Sequence, residues 1–123
     1  MLAVGEYVLG GVDETLVRMT TGFSGGVGRQ QRDLCGAFSA GIMVIGAKHG
    51  RASLKDDETI CHQATNSYRD LFSERLSSVV CFELRKEKYG SQGQEPCSVL
   101  VERAAGILLE VLNNERSAAL RTD

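Results

Sequence analysis

GFSGGVGRQQRDLCGAFSAGIMVIGAKHGR, residues 22–51, holds eight of the chain's fourteen glycines and one cysteine, Cys35, where a glycine-rich loop meets an apolar segment. Such a loop has three uses: a phosphate cradle, a seat for a reactive thiol or metal, or a means of packing helices closely. A Walker loop closes with lysine and then serine or threonine, the groups that hold phosphate and magnesium. Here Gly28 is followed by Arg29-Gln30-Gln31. A dinucleotide fingerprint requires a preceding strand in a βαβ unit, and the sequence offers none. The phosphate reading therefore fails. What survives is looser: glycine amides turned inward as an anion nest beside a helix N-terminus.

Downstream of the loop, Ala37 to Ala47 is apolar on nearly every side. That marks a buried central helix, opening near Asp33 to Cys35 and running to Lys48 or His49, with Gly50 as its stop. Gly36 and Ala40 share one face, and Ala37 and Gly41 the next. Small residues four apart let a neighbouring helix approach. Each helical glycine costs about 1 kcal/mol against alanine, so close packing must offset it. The apolar run is too short to span a bilayer.

Helical periods extend outward on both sides. A first helix is expected over Leu2–Leu9, broken at Gly10-Gly11. Asp13 then caps a short helix through Thr20 that offers Leu16, Val17 and Met19 to the core. A further helix opens near Ser53 to Asp57 and ends near Leu76, with Cys61, Ala64, Tyr68, Leu71, Phe72 and Leu76 as its apolar stripe. CFELRKEKYG, from Cys81 to Gly90, reads as a short turn or helix. Pro96, the single proline, suits a helix start because its missing N–H is not needed there. That last helix places Cys97, Val101, Ala104, Leu108 and Val111 along one stripe. The expected fold is all-α, a single-domain bundle of four to five helices over residues 1–112, with residues 113–123 a polar helix end or tail.

A chain of 123 residues with 42% hydrophobic and 24% charged residues is long enough to bury one core without disulfide staples. Its net charge of −2 and lack of a basic stripe argue against nucleic acid as a partner, and no segment suits a membrane. The start, MLAVGEYVLGG, lacks a basic n-region and a cleavage site, so a cytoplasmic location is expected.

Four cysteines stand at 35, 61, 81 and 97 with no CxxC pair, which leaves a zinc ribbon or thioredoxin-type motif unsupported. In a reducing compartment they are free thiols, metal ligands or transient redox partners. Cys35, Cys81 and Cys97 each fall at an expected helix start, where the partial positive charge lowers a thiol pKa. Arg29 and Arg32 lie just upstream of Cys35 and act in the same sense. The alternative for each is a small buried hydrophobe. Cys61 lies inside a helix, where packing explains it. His62 shares a polar face with Asn66, Arg69 and Ser73. His49 suits a helix C-terminus as a cation. No Ser–His–Asp or Cys–His constellation can be assembled.

LCGAFSAGIMVIGAKHG, preceded by TGFSGGVGR and followed by CFEL and PCSVLVERAAGILLEVL, resembles the C_GCAxxG_C_C family, a group assigned a redox role by inference. The likeness covers most of the chain. It implies thiol redox chemistry or a bound cofactor such as an iron–sulfur cluster. Cys35, Gly36 and Ala37 match the first three motif positions. Ala40 stands where the motif has its last glycine, with Gly41 one place later. Cys81 and Cys97 resemble the two later cysteines. The family pattern also implies a cysteine in a helix upstream of LAVGEYVLGGVDETL; this chain begins where that helix would be half over, so it lacks that cysteine or its start is truncated, and Cys61 cannot be equated with it. A four-ligand cluster from one chain is weakened accordingly.

Two functions follow. In the first, Cys35, Cys81 and Cys97 converge as redox thiols or ligands, with Gly25, Gly26, Gly28, Arg29 and Gly36 forming the seat of a cofactor. Three thiolates would hold a metal with an external fourth ligand, or two would cycle with an oxidoreductase partner. An iron–sulfur cluster would recruit a fourth cysteine, Cys61 or one from a partner chain. In the second, the small-residue face and an uncovered apolar amino terminus make the chain a self-associating module, a homo-oligomer such as a homodimer, whose cysteines only pack.

Overall fold

In a computed structural model, residues 2–86, 88–90 and 93–121 are described, with side chains from residue 3 to 114 within those ranges. Six helices follow in order: α1 Leu2–Leu9, α2 Glu14–Thr20, α3 Gly36–His49, α4 Thr59–Leu76, α5 Cys81–Arg85 and α6 Cys97–Arg121. A 3-10 turn, Thr21–Phe23, extends α2. The sixth helix arises because the segment at Cys81 forms a helical turn of its own. Among the described residues the only β pairings are two isolated bridges, Leu34 with Val80 and Tyr89 with Glu95. The chain is all-α.

Helix α3 is the centre, packed against α4, α6, α1 and α2. Phe38, Val44 and Ile45 are at most 1% exposed, so the middle of the apolar run is core, while its end at Ala47 is exposed. The small-residue face is used inside the chain. A Cβ on Gly41 would stand 2.5 Å from the Tyr68 ring, so only glycine admits that side chain. Tyr68 then stacks on Phe38 at 5.4 Å between centroids and meets Phe72 edge-on at 5.7 Å. Such pairs add about 0.5–1.5 kcal/mol each beyond area burial. That closeness offsets the cost of a glycine inside a helix.

Ends of helices follow local chemistry. Asp13 caps α2, its side chain accepting from the Leu16 N–H at 2.8 Å. Yet α2 buries no residue, and Met19 is 57% exposed, so its expected core contribution is corrected to a partial one. Helix α4 opens at Thr59, later than expected. Asp56 Oδ2 is spent on the Ala52 and Ser53 amides, and Asp57 on Thr59, which holds 52–57 as a self-bonded loop. The buried seam of α6 also departs from the expected stripe: Val101 is 54% exposed, and Leu100, Ile107 and Leu112 join Ala104, Leu108 and Val111 in the core. Helical backbone continues from Asn113 through Arg121.

Candidate functional site

The site is built from three chain breaks. Asp33–Cys35 runs antiparallel to Val79–Cys81: the Cys35 N–H donates to Val79 O at 2.7 Å and the Cys81 N–H to Asp33 O at 2.9 Å, flanking the Leu34–Val80 pair. Residues directly opposed in such a ladder share a face, and faces alternate along each strand. Cys35 and Cys81 therefore lie diagonally on one face, with Leu34 and Val80 on the other. The ladder also sets both cysteines at helix starts, Cys35 as the residue before α3 and Cys81 as the first of α5.

Cys97, the first residue of α6, reaches the same place from the third side. Its approach is set by a clamp: Arg103 donates to the Tyr89 hydroxyl at 2.8 Å and pairs with the Glu95 carboxylate at 2.9 Å, and so ties Tyr89 and Glu95 to α6. The three thiols line one cavity of about 190 Å³. Gly25, Gly36 and Ala37 form its wall on the α3 side; Leu84, Leu100 and Val101 supply apolar wall opposite. Arg85 is the one charged residue of the lining among those described.

Cys35 and Cys81 are each 5% exposed, whereas Cys97 is half-buried. Burial pushes the Cys35 thiol up from its ordinary value, and the nearby Cys97 adds to this. The Phe38 and Ala37 amides, at the start of α3, oppose the rise without forming a full cap hydrogen bond. The Cys81 thiol is raised as well, by burial and then by Cys35, with Arg85 opposing. This corrects the expectation of a lowered Cys35 pKa: loss of water outweighs the helix terminus. Neither Arg29 nor Arg32 bears on that thiol.

A pH dependence follows. Thiols raised by folding hold their protons more tightly in the native state than in the unfolded chain, so their stabilising contribution is present below the ordinary value of 9.0 and lost as pH rises through the folded values. Tyr68, buried and also shifted upward, acts in the same direction. Urea midpoints are expected to fall steadily from about pH 8.5 upward. A flat profile to about pH 10.5 would mean that these groups are not buried as described.

The glycine loop is a left-handed turn. Gly25, Gly26, Val27, Gly28 and Arg29 have φ of 58°, 74°, 67°, 61° and 61°. Several of its amides are spent within the loop: Gly28 N–H on Gly22 O, Arg29 on Ser24 O, Gln31 on Gly25 O and Asp33 on Gly26 O. An anion nest needs free donors, so these four amides contribute none to one. Of the residues assigned to a cofactor seat, Gly25 and Gly36 line the cavity, Gly26 backs Cys81, and Gly28 and Arg29 stand outside it. Cys61 lies on α4 away from the cavity, partly buried against the core. His62 is exposed and 3.6 Å from Glu58.

Among the described residues no group of three His, Cys, Asp or Glu side chains is disposed to hold a metal ion, the three cavity thiols included. The arrangement does not fit a resident metal or iron–sulfur centre. Sequence reasoning missed Arg85, although its position four residues after Cys81 puts both on one side of a helical turn.

No helix among the described residues is long and apolar enough to cross a membrane. No curated protein and no solved structure matches the chain. A family model does match, over residues 1–111. The chain belongs to the family described as "Putative redox-active protein (C_GCAxxG_C_C)".

Proposed function

We propose that the chain is a thiol–disulfide redox module in which Cys97 attacks and Cys35 resolves. One observation carries this: cysteines from three separate helix starts line one small cavity while Cys61 does not. Cys97 is the most exposed of the three and so meets substrate first. Its thiolate attacks one sulfur of a substrate disulfide, and the other sulfur leaves as a thiolate. Cys35 then attacks the Cys97 sulfur, closing a Cys35–Cys97 bridge and releasing the second substrate thiol. The two protein thiols lose two electrons, and their protons end on the two thiols released. A dithiol on an oxidoreductase partner reverses the cycle.

Cys35 is favoured over Cys81 as the resolving thiol on two grounds. The α3 amides aimed at its sulfur stabilise it as an anion. Diagonal ladder neighbours such as Cys35 and Cys81 stand roughly 7–8 Å apart, and a disulfide across more than about 7 Å needs backbone movement. Two observations weigh against the self-association reading: the Tyr68 ring occupies the small-residue face at Gly41, and Val4 of α1 is 7% exposed.

The test is a thiol count with peptide mapping, on anaerobic native protein before and after a mild disulfide oxidant. Two thiols lost per chain, mapped to Cys35 and Cys97 and restored by dithiothreitol, support the proposal. Four thiols that stay inert under native conditions would make the cysteines core residues and end it.

A further inference from the structure

Arg85 brings a positive charge to the thiol cavity. Its side chain lines the thiol cavity, yet no carboxylate among the described residues pairs with it; the arginines in ion pairs are Arg18, Arg51, Arg75 and Arg103. Among the described residues no acidic side chain lines the cavity either. The guanidinium is laid against Gly90, where a Cβ would come within 2.9 Å of Nε and 3.0 Å of Cζ. A side chain at 90 would displace it, so the glycine keeps the cation where it is. Its charge reaches the Cys81 sulfur from four residues along the same helical turn. The start of α6, a helix of 25 residues, adds partial positive charge at Cys97.

The remaining wall is apolar, and the volume of about 190 Å³ is below the roughly 300–1,000 Å³ of sites for drug-sized ligands. A cavity this small takes a compact molecule. A cation in apolar surroundings, beside nucleophilic sulfur, selects for negative charge at a fixed distance from the reacting atom.

We infer that the substrate of this site is a small anionic disulfide, a low-molecular-weight compound whose carboxylate or sulfonate is held by Arg85 while its sulfur meets Cys97. This rests on the thiol-exchange reading above and adds the substrate class. The electron balance is unchanged: two protein thiols become a disulfide, and the substrate disulfide becomes two thiols, each retaining its anionic group.

Three probes of similar size and different charge test it: dithiodipropionate, hydroxyethyl disulfide and cystamine, which are anionic, neutral and cationic. Thiol release is followed anaerobically at low ionic strength. The anionic probe is expected to react roughly tenfold faster than the neutral one, and the cationic probe slowest. In Arg85→Gln the anionic-to-neutral ratio falls to near one, and Arg85→Lys restores part of it. Using the ratio removes any uniform slowing caused by a weaker influence on Cys81. Equal rates for the three probes in the native chain, or a ratio unchanged in Arg85→Gln, would overturn the substrate class and leave thiol exchange intact. Absence of reaction with every probe would overturn the exchange reading beneath it. Should Arg85→Gln fail to fold, the native chain still decides: the preference must shrink as salt is raised toward about 1 M, where charges are screened within about 3 Å.

Discussion

Cys97→Ser is expected to abolish the Cys35–Cys97 bridge and to slow exchange with hydroxyethyl disulfide by at least about a hundredfold. The physical reason is that the thiolate is the nucleophile and a serine hydroxyl does not ionise in this range. Cys35 and Cys81 cannot substitute, because both are 5% exposed and their burial disfavours the anion. Cys61, half-buried on α4 outside the cavity, is removed in a Cys61→Ser background so that it cannot contribute a slow parallel reaction. Sulfur to oxygen is a small change at a half-buried helix start, and the urea midpoint should shift by less than about 1 kcal/mol equivalent. Second-order rate constants from thiol release, with the melt as control, decide the matter. A rate that survives Cys97→Ser in a folded protein would move the attack elsewhere. Cys81→Ser should leave the bridge in place, which separates a two-thiol cycle from a three-thiol site.

The contrast between these thiols explains why three cysteines in one place need not make a metal site. Metal ligation requires the thiols as anions, and two of the three are held in water-poor surroundings that favour the proton. A disulfide cycle requires only one accessible attacking thiolate at a time, followed by a second thiol that loses its proton as it attacks. The half-buried position of Cys97 and the enclosed positions of Cys35 and Cys81 suit that sequence. The single guanidinium of the lining gives the site charge without adding a ligand.

Much of this architecture was legible in the residues. The α3 core helix declares itself by being apolar on all sides, and α4 by a clean period through Ala64, Tyr68, Phe72 and Leu76, all of them buried. Asp13 and Pro96 marked helix starts through chemistry that is local in sequence, and such signals survive folding well. The convergence of Cys35, Cys81 and Cys97 was suggested by their shared position at helix starts and by the family pattern. What the chain could not announce depends on distant contacts. The ladder of Leu34 with Val80 joins segments 46 residues apart and has no periodic signature. The direction of the thiol shifts was misjudged because a helix N-terminus is visible in sequence, whereas the burial that outweighs it is not. The late start of α4 turned on whether Asp56 caps a helix or its own loop, and both uses fit the same residues.

Gly26→Ala should be the most damaging single change in the glycine loop, costing about 2–5 kcal/mol and displacing Cys81. Two independent terms add. The residue has φ of 74°, in the left-handed region, where an L side chain costs about 1–2 kcal/mol. A Cβ there would also stand 2.6 Å from the Cys81 Cβ and 2.9 Å from the Gln31 Cα, contacts no real Cβ keeps. Overpacking of this kind typically costs about 1–3 kcal/mol. Gln31 cannot retreat freely, since its N–H is tied to Gly25 O at 2.8 Å, so the strain falls on Cys81 and on the ladder holding it to Asp33. Gly28→Ala is the matched control: it has φ of 61° but open space around its Cβ position, so it should cost only the conformational term. Urea melts of the two variants give the steric share by difference, and alkylation of Cys81 under native conditions reports its displacement. Equal losses in both would mean that the loop does not press on Cys81. A larger loss in Gly26→Ala with faster Cys81 labelling would identify the loop as the wedge that keeps this thiol inside the cavity wall.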